Sequence, residues 1–182
     1  GLWDDLTPDF EAAVLAVLKE VPKAVGDTLK LVARNKIFID RTVGIGKIDT
    51  EEAISYGFTG PCLRATGYEY DLRKEYPYDH YDQFEFDIPS GHQGDTYDRV
   101  MVRFEEIRQS CRIIEQALRK MPGGPINVEH PVIIIPPKKQ TYESIEGLVN
   151  HFKIIMHGVQ VPAGDGYASI EAANGELGFY IV

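Results

Sequence analysis

The chain has 182 residues, 43% hydrophobic and 26% charged, which is enough for one packed core, so a single domain over residues 1–182 is expected. A net charge of −9 at pH 7, with no run among the 19 basic residues, argues against a nucleic-acid surface. No stretch approaches the roughly 18 uninterrupted apolar residues of a membrane span, residues 1–10 lack the basic start and apolar core of a signal peptide, and Cys62 and Cys111 stand in no CxxC spacing, so a soluble chain with two free thiols is expected.

Thr7 before Pro8 reads as a helix start, a capping hydroxyl followed by the one residue that loses no bond at the first helical position. Phe10, Val14, Val17, Val21, Val25, Leu29 and Val32 then recur every three or four residues and predict one long helix over 8–34, kinked near the turn before Pro22. A short run, 36–39, leads into Arg41-Thr42-Val43-Gly44-Ile45-Gly46, whose two glycines fit a turn rather than a phosphate loop, for there is neither a third glycine nor a Gly-Lys-Ser/Thr. Asp49-Thr50-Glu51-Glu52 has the form of a capping box for a short helix over 50–56, ended by Gly57.

Residues 59–87 hold five tyrosines, Tyr68, Tyr70, Tyr76, Tyr78 and Tyr81, interleaved with aspartates and arginines and punctuated by Gly60, Pro61, Gly67 and Pro77. No period of two or 3.6 survives, so an ordered, irregular belt clamped by helices is expected, either purely structural or in direct contact with a ligand. Its side chains must supply the hydrogen bonds that regular structure would otherwise give. Arg64, Asp71, Arg73, Tyr78 and Tyr81 are the residues expected to do so, with Asp95, Arg99 and Arg103 as their partners. Phe84, Phe86 and Ile88 alternate with acids and predict a short strand ended by Pro89.

Asp95 is placed to cap the strongest helix in the chain, 96–121, whose apolar stripe runs from Tyr97 through Val100, Phe104, Ile107, Cys111 and Ile114 to Leu118. Pro122-Gly123-Gly124-Pro125 stops it, and residues 122–141 are linker-like, apart from a possible strand at 132–135. A third helix, 142–157, capped by Thr141, carries Ile145, Leu148, Val149, Phe152, Ile155 and Met156 on one stripe and ends at Gly158. The three long helices are expected to share a core. Ala173-Asn174-Gly175 between two β-rich runs predicts a hairpin over 167–182. The fold class is therefore mainly α with a small β part.

The residues show no catalytic constellation. His151 and His157 are six apart, on different helix faces, which is no metal-ligand spacing. Ser90, Ser110 and Ser144 have no local activating base and no Gly-x-Ser-x-Gly elbow, and Cys62 reads as an inert thiol.

Taken in order, RTVGIG, GFTGPCLRATG, YDLRKEYPYDHYD, FDIPSGHQGDTYDR, QALRKMPGGP, HFK and ASIEAANGELGFYIV resemble the quinone-site subunit of respiratory complex I, the D-subunit family of NADH-quinone oxidoreductases. The departures are small: Thr66 stands where serine is common, Thr96 where cysteine is frequent, and Ala173-Asn174 where proline-lysine is usual. The resemblance implies a helical bundle like part of the nickel–iron hydrogenase large subunit, with a C-terminal hairpin. It further implies an internal fragment, with the family's quinone-facing histidine and tyrosine before Gly1 and its closing segment after Val182.

The implied function is participation in passing electrons from NADH to membrane quinone, coupled to ion pumping. No catalytic or metal-binding residue is expected in this stretch, and no cofactor bound by it directly. Quinone would be the substrate, with the iron–sulfur cluster in a neighbouring subunit and FMN and NADH in others. The implied partners are that cluster-bearing neighbour, the C subunit and a membrane-arm subunit, on the cytoplasmic side of the bacterial inner membrane as a peripheral protein. A homo-oligomer of the isolated chain is also expected. Two other readings stay open: a non-catalytic scaffold and subunit-interface domain, and a hydrogenase-like protein without its metals.

Overall fold

The structure is a computed structural model that describes residues 5–128, 130 and 133–182. Helix α1, Phe10–Val32, runs unbroken through Pro22 and Gly26. It starts later than Thr7-Pro8 suggests: Asp9 holds the N-terminal position, and its carbonyl accepts the Ala13 amide at 2.9 Å. Asn35 then caps α2, Lys36–Thr42, its side-chain oxygen accepting the Ile37 and Phe38 amides. This helix has too few residues for its period to show in the sequence, and it turns Phe38 onto Tyr97 of the long helix that follows the belt, with ring centroids 6.0 Å apart. Asp49 caps α3, Thr50–Ser55, by accepting the Glu52 amide at 2.8 Å.

The belt is less irregular than its composition suggests. It contains α4, Gly60–Arg64, then α5, Leu72–Glu75, and a single 3₁₀ turn, Tyr81–Gln83. The expected strand at 84–88 does not form. The segment is extended, but it lies along α6, Thr96–Lys120, and bonds to that helix's side-chain amides instead of to a second strand. Gln116 Oε1 accepts the Glu85 amide at 2.9 Å while Gln116 Nε2 donates to the Glu85 carbonyl at 2.7 Å, and Gln109 Oε1 accepts the Asp87 amide at 3.0 Å. Alternation in the sequence therefore reports an extended segment with one buried side, here Phe86, and says nothing about what satisfies its backbone.

The chain forms two compact units. The larger, residues 8–121 and 167–181, is organised on α6, against which α1, α2 and α4 pack. Its core holds Val25, Ala53, Leu63, Ala65, Leu72, Phe86, Val102 and Ile113. Strands β1, Gly166–Ala172, and β2, Gly175–Ile181, make the two-stranded hairpin, and β2 meets α4.

The smaller unit is residues 5–7, 122–166 and 182. Of the run at 132–135, Val132 lies outside the described residues, and the Ile133 and Ile134 amides turn back to the His130 carbonyl rather than into a strand. The expected helix 142–157 is two. Helix α7, Lys138–Glu143, contains Thr141, and Ser144 breaks the path and caps α8, Ile145–His157, by accepting the Gly147 amide at 3.0 Å. Helix α8 meets α7 at Gly147, where an added Cβ would fall 2.3 Å from the Gln140 carbonyl oxygen. Its apolar stripe is not the packing face: Ile145 is 78% exposed, and Leu148, Val149, Phe152, Ile155 and Met156 are exposed with it.

Two glycines set how closely the hairpin approaches α4. Gly60 has φ +60°, and a Cβ there would lie 2.3 Å from the Gly175 Cα, a backbone atom with no freedom to move aside. Gly60→Ala is expected to cost more than about 2 kcal/mol, since the left-handed conformation alone costs ~1–2 kcal/mol and the clash adds to it. Gly26→Ala, in mid-helix with nothing within 4 Å, is expected to stabilise by about 0.5–1 kcal/mol. Urea midpoints of the two variants should move in opposite directions.

Candidate functional site: a buried arginine–carboxylate cluster

Arg64 closes α4 with 1% of its surface exposed. A guanidinium removed from water must have its N–H donors met, and here acceptors arrive from three other parts of the chain. Arg64 Nε donates to Glu106 Oε1 of α6 at 3.1 Å. One terminal nitrogen donates to the same oxygen, and the other to the Tyr70 carbonyl at 2.8 Å and to Glu171 Oε1 of β1 at 2.9 Å. Asp71, wholly buried, stands 3.8 Å away.

Asp71 caps α5 by accepting the Arg73 amide at 2.9 Å, and its two oxygens also take the Arg73 side chain, from Nε at 2.9 Å and from a terminal nitrogen at 2.6 Å. This two-point fork fixes Arg73 over the Phe86 ring, 4.9 Å from its centroid, and within 5.8 Å of the Tyr81 centroid. Tyr81 meets Tyr78 edge-on, centroids 5.0 Å apart, and the Tyr78 hydroxyl accepts the Glu171 amide at 2.9 Å. Between these tyrosines Asp79 and His80 both take positive φ, 48° and 77°, a conformation non-glycine residues seldom adopt. The two left-handed residues fold the turn back on itself, so that Tyr78 and Tyr81 meet.

Burial opposes ionisation of Asp71, yet the Arg73 fork and the nearby Arg64 charge outweigh it and hold the carboxyl below the ordinary 3.8. The same burial works against the Arg73 charge, and Asp71 more than offsets it. Burial raises the Tyr78 phenol, partly countered by the Glu171 amide.

Five of the residues singled out in the sequence, Arg64, Asp71, Arg73, Tyr78 and Tyr81, are brought together. Asp95, Arg99 and Arg103 are not their partners: Asp95 and Arg99 form a separate lock on the 41–46 turn, and Arg103 bonds within its own helix. Asp95 Oδ2 accepts the Gly44 amide at 2.7 Å and Oδ1 the Asp98 amide at 2.9 Å. Arg99 donates to the Gly46 carbonyl and to the Gly94 carbonyl, and Arg103 donates to the Arg99 carbonyl at 3.1 Å. Burial opposes the Asp95 charge, and the two amides still keep its carboxyl below the usual range. Reading the sequence missed Glu106 and Glu171, the carboxylates on Arg64. Their one signal is indirect: an arginine inside the apolar run Leu63-Arg64-Ala65 has more donors than the nearest acids in the chain, Glu69 and Asp71, need meet, and calls for acceptors from elsewhere.

The cluster holds its charges in place and presents no nucleophile beside a base. Among the described residues no group of three or more His, Cys, Asp or Glu side chains is placed to hold a metal ion. Because Asp71 is ionised more readily in the folded chain, its contribution to stability is present above about pH 4 and is lost as pH falls through its lowered value. Asp71→Asn is therefore expected to cost on the order of 3 kcal/mol at pH 7, the cost of breaking one side of a buried pair. The gap to the wild type should narrow below pH 3.8. Urea unfolding at pH 7 and pH 3 measures both.

The sequence matches the family described as the respiratory-chain NADH dehydrogenase 49 kDa subunit over residues 1–182. It is 54% identical over 183 residues to a NADH-quinone oxidoreductase D subunit (copy 1) of Sorangium cellulosum and 50% identical over 182 residues to the D subunit of Leptospira biflexa, covering all of this chain and 45% of each relative. A C/D subunit of NADH-quinone oxidoreductase from Bdellovibrio bacteriovorus is 48% identical over the whole chain, which spans 32% of it. The chain thus spans less than half the length of these relatives, and it belongs to the family of the complex I 49 kDa subunit, the D subunit of NADH-quinone oxidoreductase.

Proposed function

We propose that this chain is part of the quinone-reducing module of a proton-pumping NADH:quinone oxidoreductase, in which electrons pass from iron–sulfur clusters to membrane quinone. The observation that carries this reading is the family match across all 182 residues, supported by identities of 50% and above over the full chain. Within that module the chain positions and does not react. The Arg64 cluster and the Asp95 lock hold the helical scaffold behind the quinone cavity, with quinone chemistry, cluster, FMN and NADH on other segments or subunits. The chain by itself reduces no quinone. Its partners are the cluster-bearing neighbour, the C subunit and a membrane-arm subunit, and it works as a peripheral protein on the cytoplasmic face. No helix among the described residues is long and apolar enough to cross a membrane.

A second reading, an interface domain without chemistry, is favoured by the exposed apolar stripe of α8 and the exposed Leu177, Phe179 and Ile181 of β2. Both readings place apolar surface against neighbours, and a homo-oligomer of the isolated chain is one way to cover it. A hydrogenase-like protein without its metals is distinguished by whether membranes from the source cells reduce quinone with NADH through a complex containing this chain.

Arg73→Ala in that complex is expected to lower assembled enzyme and NADH:quinone reductase activity together, about tenfold each, with activity per assembled complex unchanged. Native gels and quinone reduction on the same membranes measure the two. Normal assembly with quinone reduction lost would place Arg73 at the reacting site and overturn the scaffold role.

A further inference from the structure

Asn174-Gly175, the pair that turns the hairpin, is also chemically fragile. An asparagine followed by glycine can close on its own chain, because no Cβ on the next residue hinders the backbone nitrogen from reaching the asparagine Cγ. The Gly175 nitrogen, having lost its proton to solvent hydroxide, adds to Asn174 Cγ; the new N–C bond replaces the bond to the side-chain nitrogen, which leaves as ammonia. Water then opens the cyclic imide. Cleavage of the bond to Cγ gives aspartate, and cleavage of the bond to the backbone carbonyl carbon gives isoaspartate, with the chain rerouted through the side chain. Nothing is oxidised or reduced: water enters, ammonia leaves and a carboxylate replaces a neutral amide.

Ring closure requires the peptide between the two residues to turn, and that peptide is packed directly against the first turn of α4. Gly175 is buried although Asn174 is exposed. A Cβ built on Gly60 would fall 2.3 Å from the Gly175 Cα, 2.8 Å from its nitrogen and 3.3 Å from the Asn174 carbonyl carbon, so backbone meets backbone at the reacting peptide itself. A Cβ on Gly175 would fall 2.5 Å from Thr59 Oγ1. That same hydroxyl accepts the Glu176 amide at 2.9 Å and pins the residue that follows. Thr59 stands at the N-cap of α4 and makes no side-chain cap bond there, so its hydroxyl serves the hairpin and not its own helix.

From this packing we infer that Asn174 is a self-modification site that α4 keeps closed: Thr59 and Gly60 clamp the Gly175 peptide against the rotation that imide formation requires, and deamidation proceeds when the clamp is loosened. Isoaspartate adds one atom to the backbone at the point of closest approach, so the modified turn no longer fits against Thr59 and Gly60. The inference concerns this turn alone and is independent of the quinone reading.

The test uses the full-length protein purified from its own cells with its natural partners and incubated at mildly alkaline pH. Peptide mass spectrometry follows aspartate and isoaspartate at position 174. The folded wild type is expected to deamidate about tenfold more slowly than the same protein in urea. Thr59→Val removes the hydroxyl at nearly constant shape and should speed deamidation of the folded protein several-fold, with the rate in urea unchanged. Thr59→Ser, which keeps the hydroxyl, should stay near the wild-type rate. Thr59→Ala, smaller and lacking the same hydroxyl, repeats the test where the valine variant does not assemble. A folded wild type that deamidates as fast as the unfolded chain, or a hydroxyl-free variant that deamidates no faster than the folded wild type, overturns the inference.

Discussion

The larger unit depends on one guanidinium taken out of water. An isolated charge in that position would cost several kcal/mol, and the arrangement survives because the Arg64 donors are met by Glu106, Glu171 and the Tyr70 carbonyl. A planar fork with five N–H groups reaches three directions at once, and an ammonium on the same stem would not. Each acceptor belongs to a different element, so satisfying Arg64 fixes α4, the belt, α6 and β1 against one another. Hydrophobic burial alone would leave this part underdetermined, for α4 and α5 are too short to carry an apolar stripe.

From that constraint the belt's chemistry follows. Asp71 serves three donors: the α5 amide that it caps, the Arg73 fork and, at longer range, Arg64. Arg73, so held, becomes a flat cation on which the Phe86 and Tyr81 rings rest, and Phe86 in turn is the buried residue of the extended segment that α6 binds with Gln109 and Gln116. The left-handed pair Asp79-His80 is the conformational cost of bringing Tyr78 to the hairpin and Tyr81 to Arg73 within one short turn. Polar contacts here set geometry, and the aromatic rings fill the space between them.

What the sequence disclosed follows the range of each interaction. Helix α6, the Asp49 and Asp95 caps and the Asn174-Gly175 hairpin rest on neighbours a few residues away, and they were legible. Arg64 finds Glu106 across 42 residues and Glu171 across 107, distances at which no period or motif operates. Arg64, Asp71, Arg73 and Tyr78 hydrogen-bond and Tyr81 contributes ring contacts, but the partners expected from the sequence, Asp95, Arg99 and Arg103 at the start of the next long helix, lie elsewhere. Asp95 and Arg99 instead serve a turn about 50 residues upstream, meeting the Gly44 amide and the Gly46 carbonyl, while Arg103 bonds to the Arg99 carbonyl of its own helix. The strand at 84–88 and the Thr141 cap fail for a related reason. Alternation and capping hydroxyls record local preference, while a glutamine pair on a helix and a serine three residues later supplied the bonds.

The state of the charges argues for holding over reacting. Guanidinium groups keep their proton throughout the physiological range, and Asp71 is pressed further towards its ionised form by Arg73. A group that passes protons needs two states of similar free energy at the working pH. Asp71 and its guanidiniums have one. Substitutions that leave these charges intact should then matter through geometry, and those that remove a charge through desolvation of the partner left behind. Asp71, held ionised between Arg73 and Arg64, gives the belt one geometry, which is what the proposed scaffold role requires.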